Sequence, residues 1–314
     1  MNDTVEVSVV IPVYNSEKSL NELLDRLSKV LDENTESYEV IFIDDGSKDN
    51  SWKLLEDLHS LYKNTRIIQL MKNFGQHNAL MCGFNCARGE YIVTMDDDLQ
   101  HPPEEIPKML EAIKSDVNYD VIIGRPIEKK HSLYRNALSW AGNYLNVYFY
   151  DKPYDLRMGA FRVIRRSVIN EIIKYKLPNP SIGPLLLVVT LRIKNITVDH
   201  KPRLYGSSTY TIGKLIKMSF DNIIHNSSLP LKIVSFFGIF ISFLSFGLGL
   251  YYMYKRFFYG IPVVGWTTLL VSNLFLFGVV LFSFGIIGEY ILRIVQTTQN
   301  NPQYTIRIEN DYLL

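Results

Sequence analysis

In Tyr91-Ile92-Val93-Thr94-Met95-Asp96-Asp97-Asp98, five strand-forming residues run directly into three acids. A short run with no polar alternation suits a strand buried on both faces. The pattern recurs upstream and downstream. Val5–Ile11, Val40–Ile43, Ile67–Leu70 and Val121–Ile123 are further apolar runs. Between them Leu20, Leu23, Leu24, Leu27, Val30 and Leu31 recur at helical spacing, as do Leu54, Leu55, Leu58 and Leu61. Ile106, Met109, Leu110 and Ile113 mark another helix, opened by Pro102-Pro103-Glu104-Glu105. Asn50 or Ser51 can cap the helix before it. Strands alternating with helices predict an α/β fold, with a mostly parallel sheet covered on both faces.

Ligands of such sheets bind beyond the carboxyl ends of the strands. Those ends read Pro12-Val13-Tyr14-Asn15, Asp44-Asp45-Gly46-Ser47 and Asp96-Asp97-Asp98. Neither GxGxxG nor GxxxxGK[ST] follows any strand, so a diphosphate here has no glycine-rich helix start to rest on. The acids would repel it unless a divalent cation intervened. Asp96 and Asp98 share a face at strand spacing, so both carboxylates can hold one hard cation with phosphate oxygens.

The composition bounds the partners. The 314 residues carry a formal net charge of +1, which argues against a nucleic-acid partner. Cys82 and Cys86 are the only cysteines. They exclude a disulfide framework and read as free core thiols in a reducing compartment rather than as a metal pair. Residues 1–205 read as a soluble domain. Ile233–Tyr254 and Phe257–Gly288 contain no charged residue, and Lys255-Arg256 separates them. A bilayer core of ~30 Å takes ~20 apolar residues per helix. Two spans are expected, at about 233–254 and 266–288, within 232–292. Two spans put both chain ends on one side. Lys214, Lys217, Lys232 and Arg293 flank the outer ends, and Met1-Asn2-Asp3-Thr4 lacks a leader pattern. The N-terminal domain is therefore expected in the cytosol. Residues 206–231 read as juxtamembrane amphipathic helices, with Ile212, Leu215, Ile216, Phe220 and Ile223 on one stripe. That stripe suits the membrane interface or an ordinary packed helix. Residues 293–314 are expected to form a cytosolic tail.

Three segments resemble the GT-A fold of inverting family 2 glycosyltransferases. They are Ser8–Asn15, Ile43–Ser47, and Met95–Gln100 with Pro102-Pro103-Glu104. Lys72-Asn73-Phe74-Gly75-Gln76-His77-Asn78-Ala79-Leu80 and Gly285–Ile294, with Asn301-Pro302-Gln303-Tyr304, are similar to bacterial polyprenyl-phosphate sugar transferases. Within that subgroup the likeness is to undecaprenyl-phosphate glucosyltransferases and the 4-deoxy-4-formamido-L-arabinose transferase. Dolichol-phosphate mannose synthases are more distant.

The resemblance implies roles. Pro12, Tyr14, Asn15, Asp44, Asp45, Lys72 and Asp97 would bind the nucleotide. Asp96 and Asp98 would hold Mg²⁺ or Mn²⁺. Asp155, Asp98 and Arg203 form the expected catalytic set, and Arg162, Arg203 and Ser208 the acceptor-phosphate set. Asp155 precedes Phe161-Arg162 by a longer interval than in the family, and a turn or helix cap is its other reading. Lys72 stands where relatives carry Arg, and Thr209 replaces Lys in a Ser-Lys-Tyr motif. The implied activity is transfer of a sugar from a nucleotide-sugar, UDP-linked by preference, to polyprenyl (undecaprenyl) phosphate with inversion. The product would serve cell-envelope glycan modification, such as that of lipopolysaccharide. The implied setting is a homo-oligomer in the bacterial inner membrane. The alternatives are a membrane-anchored polysaccharide synthase, which the absence of a Gln-x-x-Arg-Trp motif weakens, and a non-catalytic sugar-nucleotide-binding scaffold.

Overall fold

The computed structural model describes residues 4–126, 153, 155–178, 180–201, 229–259, 265–299 and 301–310. It divides into two compact units. Unit 1 comprises Met1–Thr209 and Asn300–Leu314, and unit 2 comprises Tyr210–Gln299.

Unit 1 is built on one eight-stranded sheet. Its strands are β1 (Val7–Val13), β2 (Tyr38–Asp44), β3 (Thr65–Leu70), β4 (Tyr91–Thr94), β5 (Val121–Pro126), β6 (Arg162–Arg165), β7 (Ile193–Val198) and β8 (Ile306–Asn310). Their order is β7-β5-β6-β4-β1-β2-β3-β8. β1 pairs parallel with β2 and β4, β2 with β3, and β5 with β7. β6 runs antiparallel between β4 and β5, and β8 antiparallel along β3. The expected mostly parallel sheet is present. β6, β7 and β8 went unread in the sequence; each is short, and β7 and β8 are polar along much of their length.

Both faces of the sheet are buried, which is why β1 is apolar at nearly every position. Val7, Val9, Ile11 and Val13 face one core with α1 (Leu20–Asn34), α2 (Ser51–Leu61) and α4 (Ile106–Ser115). Val10 faces the other, with α3 (Gln76–Cys86), α5 (Arg166–Ile172) and α6 (Ile182–Val189). Each fully buried Leu or Ile contributes about 1.5–3 kcal/mol relative to an exposed one. The α3 contact is close. A Cβ on Gly83 would lie 2.2 Å from Val10 Cγ1, so glycine lets this helix lie against β1.

Unit 2 contains two long helices, α7 (Leu229–Tyr259) and α8 (Trp266–Thr298). Among the described residues one window, Phe275–Leu292 in α8, is apolar and long enough to cross a membrane. The span expected at about 233–254 falls in α7, whose described residues hold no window that meets that length and apolarity. The tail expected from residue 293 starts later, because α8 continues through Glu289 and Arg293 to Thr298. The proposed amphipathic stripe, Ile212–Ile223, lies outside the described residues.

Candidate active site

The carboxyl ends of β2, β1 and β4 lie side by side, so the loops that follow them share one rim. β2 delivers Asp44 and Asp45, 0% and 3% exposed. Their oxygens have different tasks. Asp44 accepts hydrogen bonds from the Ser47 N–H and from Gln69 Nε2, both at 3.1 Å, and so ties the β2 turn to β3. Asp45 accepts from the backbone N–H groups of Phe74 (2.7 Å) and Gly75 (2.8 Å). Each Asp45 oxygen keeps a second lone pair that can accept a further hydrogen bond. Burial pushes the Asp45 carboxyl up to about 6, against the pull of those two amides.

Gly46 follows at φ +69°, a region that favours glycine. A Cβ there would meet the Lys72 carbonyl carbon at 2.8 Å and the Asn73 nitrogen at 2.9 Å. The Lys72–Gly75 segment therefore lies directly on the Asp45 turn. Lys72 itself is exposed, with Nζ 5.1 Å from the Phe74 ring centre.

β1 delivers Pro12, which is buried, and Tyr14, which is 41% exposed and free to face a ligand. Asn15 also has positive φ (55°). Its N–H donates to Ser47 Oγ (3.0 Å) and its Oδ1 accepts from the Lys48 N–H (2.8 Å). Asn15 thus joins the β1 and β2 loops into one surface.

After β4 the three acids divide. Asp97 turns towards the Ser16 hydroxyl and the Tyr14 N–H, and so braces the β1 loop. Burial pushes its carboxyl up to about 7, and Asp96 and Asp98 add repulsion. Asp96 Oδ1 accepts from Gln76 Nε2 (2.6 Å), and Asp98 Oδ1 accepts from the Gln100 N–H (3.1 Å). Both carboxylates are partly exposed. Two hard oxygen donors beside a third acid that resists ionisation fit a divalent cation, which would relieve the crowded charge. Among the described residues no group of three or more His, Cys, Asp or Glu surrounds a metal position. The chain would supply two carboxylates and leave the other positions to ligand oxygens or water.

Beneath this pair sits Arg162, at the start of β6 opposite Thr94 and 5% exposed. Burial lowers its guanidinium to about 10, and Asp96 opposes that shift. Among the described residues its Nε and Nη1 have no hydrogen-bond partner. His77, at the start of α3, is held down to about 4 by burial and then by Arg162. His101 stacks on Phe161 at 5.1 Å and meets His200 edge-on at 5.0 Å.

Asp155 lies exposed on a turn closed by Leu156 N–H to Pro153 O (3.1 Å). No described hydrogen bond or ion pair brings it to Asp96 or Asp98. Arg203 and Ser208 lie outside the described residues. Gln76 received no role in the sequence reading. Its segment was part of the recognised pattern, but a glutamine at a helix start carries no chemical signal until the fold puts it against Asp96.

Comparison with known proteins agrees with this architecture. Residues 8–173 match the family model for glycosyl transferase family 2. The chain is 36% identical over 309 residues to the undecaprenyl-phosphate 4-deoxy-4-formamido-L-arabinose transferase of Proteus mirabilis, covering 96% of this chain and 93% of that one. It is 34% identical over 322 residues to the uncharacterized glycosyltransferase YkcC of Bacillus subtilis, covering 100% and 98%. Among solved structures it resembles glucosyl-3-phosphoglycerate synthase from Mycobacterium tuberculosis in complex with Mn²⁺, UDP and glucosyl-3-phosphoglycerate. That likeness has TM-score 0.53 and 16% identity, over 70% of this chain and 78% of that one. The fold is GT-A, and the chain belongs to glycosyl transferase family 2.

Proposed function

We propose that this chain transfers a sugar from a UDP-sugar to polyprenyl phosphate, inverting the anomeric carbon. One observation carries the reading. Asp45, fixed by the Phe74 and Gly75 amides, lies on the same rim as the Asp96/Asp98 pair at the end of an adjoining strand pair. An acceptor for a nucleobase thus stands beside a holder for a diphosphate-bound cation. The name of the Proteus mirabilis relative supports the lipid acceptor, and the UDP and Mn²⁺ in the mycobacterial complex support the donor and metal.

In this reading Pro12, Tyr14, Asn15 and Lys72 shape the nucleoside end. Asp44 and Asp97 act from behind, since each spends its carboxylate on the loops that form the rim. Mg²⁺ or Mn²⁺ on Asp96 and Asp98 would stabilise charge on the departing diphosphate. The nucleophile is an oxygen of the lipid phosphate. A phosphate monoester has a second pKa of about 6, so it is largely dianionic at pH 7 and needs no strong base. The new bond joins that oxygen to the anomeric carbon as the bond to UDP breaks. Asp155 orients the acceptor, and Arg162, Arg203 and Ser208 form its phosphate contacts. The α8 window Phe275–Leu292 and the charge-free core of α7 would anchor a multi-pass protein in the bacterial plasma membrane. Its catalytic unit faces the cytosol, and a homo-oligomer is the proposed assembly.

The test is transfer of label from UDP-sugars to polyprenyl phosphate by the purified full chain, with and without EDTA. A lipid-linked sugar that vanishes on chelation and returns with Mg²⁺ or Mn²⁺ is expected. No lipid product with any donor would sink the reading.

A further inference from the structure

Residues 293–314 were expected only as a cytosolic tail, with no role in the site. Residues 301–310 belong to unit 1 and run along its β3 edge and α3. Gln303, 7% exposed, donates from Nε2 to the carbonyls of Tyr175 (3.1 Å) and Leu177 (2.7 Å). Tyr304 lies against Cys82 and Asn85 of α3. The Met71 N–H donates to Thr305 O (2.9 Å), and Arg307 Nη2 donates to Met71 O (3.2 Å). β8 then pairs with β3 from Leu70↔Ile306 to Ile67↔Asn310, and Glu309 meets Arg66 at 3.3 Å.

The contacts of Gln303, Thr305 and Arg307 lead to the Asp45 end of the rim, whereas the Glu309–Arg66 pair sits at the far end of β3 with Glu39. Met71, gripped on both its N–H and its carbonyl, immediately precedes the Lys72–Gly75 segment. That segment packs on Gly46 and supplies both amides to Asp45. Gln69 faces Ile308 across the strand pair and holds Asp44 with its side chain. The Tyr175–Leu177 stretch held by Gln303 runs into Pro178, whose carbonyl accepts from Asn78 Nδ2 (3.2 Å). The same amide donates to Phe74 O (2.9 Å). The tail therefore fixes the donor loop from both sides, although it touches no ligand-facing atom of the rim.

We propose that the tail strap, through Gln303 and Arg307, is a positioning element of the nucleotide site, and that the segment following α8 completes the donor loop. This rests on the reading of that rim as a nucleotide-sugar site. A strand that served only to cover the β3 edge would contribute stability alone. A strap that positions the Asp45 amides contributes to donor affinity.

The experiment uses the full chain in detergent, with Gln303→Ala, Arg307→Ala and the pair. UDP affinity is measured by calorimetry, and the donor and acceptor constants by transfer assay. The expected result is a UDP Kd and donor KM raised about tenfold in the double variant, with acceptor KM unchanged and kcat within about twofold. Arg307→Lys, which keeps a donor for the Met71 carbonyl, should recover most of the affinity. Hydrogen exchange at Phe74 and Gly75 should speed up in the double variant and slow again in Arg307→Lys. Folded variants that lose thermal stability but keep wild-type UDP Kd and donor KM overturn the inference alone. Wild-type protein that binds no uridine nucleotide overturns the functional reading and this inference with it.

Discussion

Two carboxylate sets dominate the residue scale, and each makes a separate prediction. Asp96, Asp97 and Asp98 are all half-buried, but Asp97 spends its carboxyl on Ser16 and Tyr14 while Asp96 and Asp98 meet Gln76 and Gln100. Replacing Asp96 and Asp98 with Asn keeps the shape and removes the hard anionic donors. The double variant should lose ~10²-fold or more of kcat, with an unchanged far-UV spectrum. Transfer at the wild-type rate would remove the metal from the reading. Asp45 carries a pH dependence. If Asp45 accepts from the base as proposed, its carboxylate protonates as pH falls below about 6, and donor KM should rise through that range. Asp45→Asn should show a raised donor KM with that inflection gone. Stability moves the other way. The folded carboxyl titrates near 6 and the unfolded one near 3.9, so the folded state binds more protons between them. This group's contribution to stability therefore falls as pH rises through that window. Thermal melts of wild type and Asp45→Asn across pH 4–7 would show their difference growing with pH, in favour of Asn.

At the scale of elements, the site depends on how closely α3 approaches the sheet. Gln76 at its start meets Asp96, and Gly83 in its body lies on Val10. Gly83→Ala puts a methyl 2.2 Å from Val10 Cγ1, so the helix must shift or the valine must give. Overpacking of this kind costs about 1–3 kcal/mol. Adding Val10→Ala should restore part of that loss, a coupling readable as a double-mutant cycle in urea melts. Additive losses would mean the contact is looser than it stands. Much of this was legible in the sequence. The apolar runs and helical stripes predicted β1 to β5 and α1, α2 and α4. β6 escaped because it is four residues long and begins with an arginine. β8 escaped because Ile306-Arg307-Ile308-Glu309-Asn310 is polar at every second position and follows a membrane-like helix. Only pairing with β3 makes it a strand.

On the scale of the whole molecule, one chain carries an α/β unit and a unit of long apolar helices. The exposed apolar side chains of α7 and α8, such as Phe243, Phe257, Phe277 and Leu281, would be untenable in water as a continuous surface. The protein should remain in the membrane pellet through alkaline carbonate and be released only by detergent. Release by carbonate alone would contradict a spanning helix. The polypeptide also leaves unit 1 and returns to it, so the last strand of the sheet follows the last apolar helix. A truncation before residue 300 therefore removes part of the catalytic unit and leaves its β3 edge unpaired.

Residue order alone determined the strand–helix alternation, the acidic strand ends and the apolar stretches. Each is a local property, set by side-chain periodicity and by the need to bury apolar surface or place it in lipid. The division of labour among the acids came only from the tertiary structure. Whether an aspartate faces solvent, braces a loop or accepts two amides depends on what segments distant in the chain bring beside it. Asp45 is identified by Phe74 and Gly75, Asp97 by Ser16 and Tyr14, and the tail by Met71 and Tyr175. Those pairings are contacts between distant positions, decided by how the sheet orders its strands.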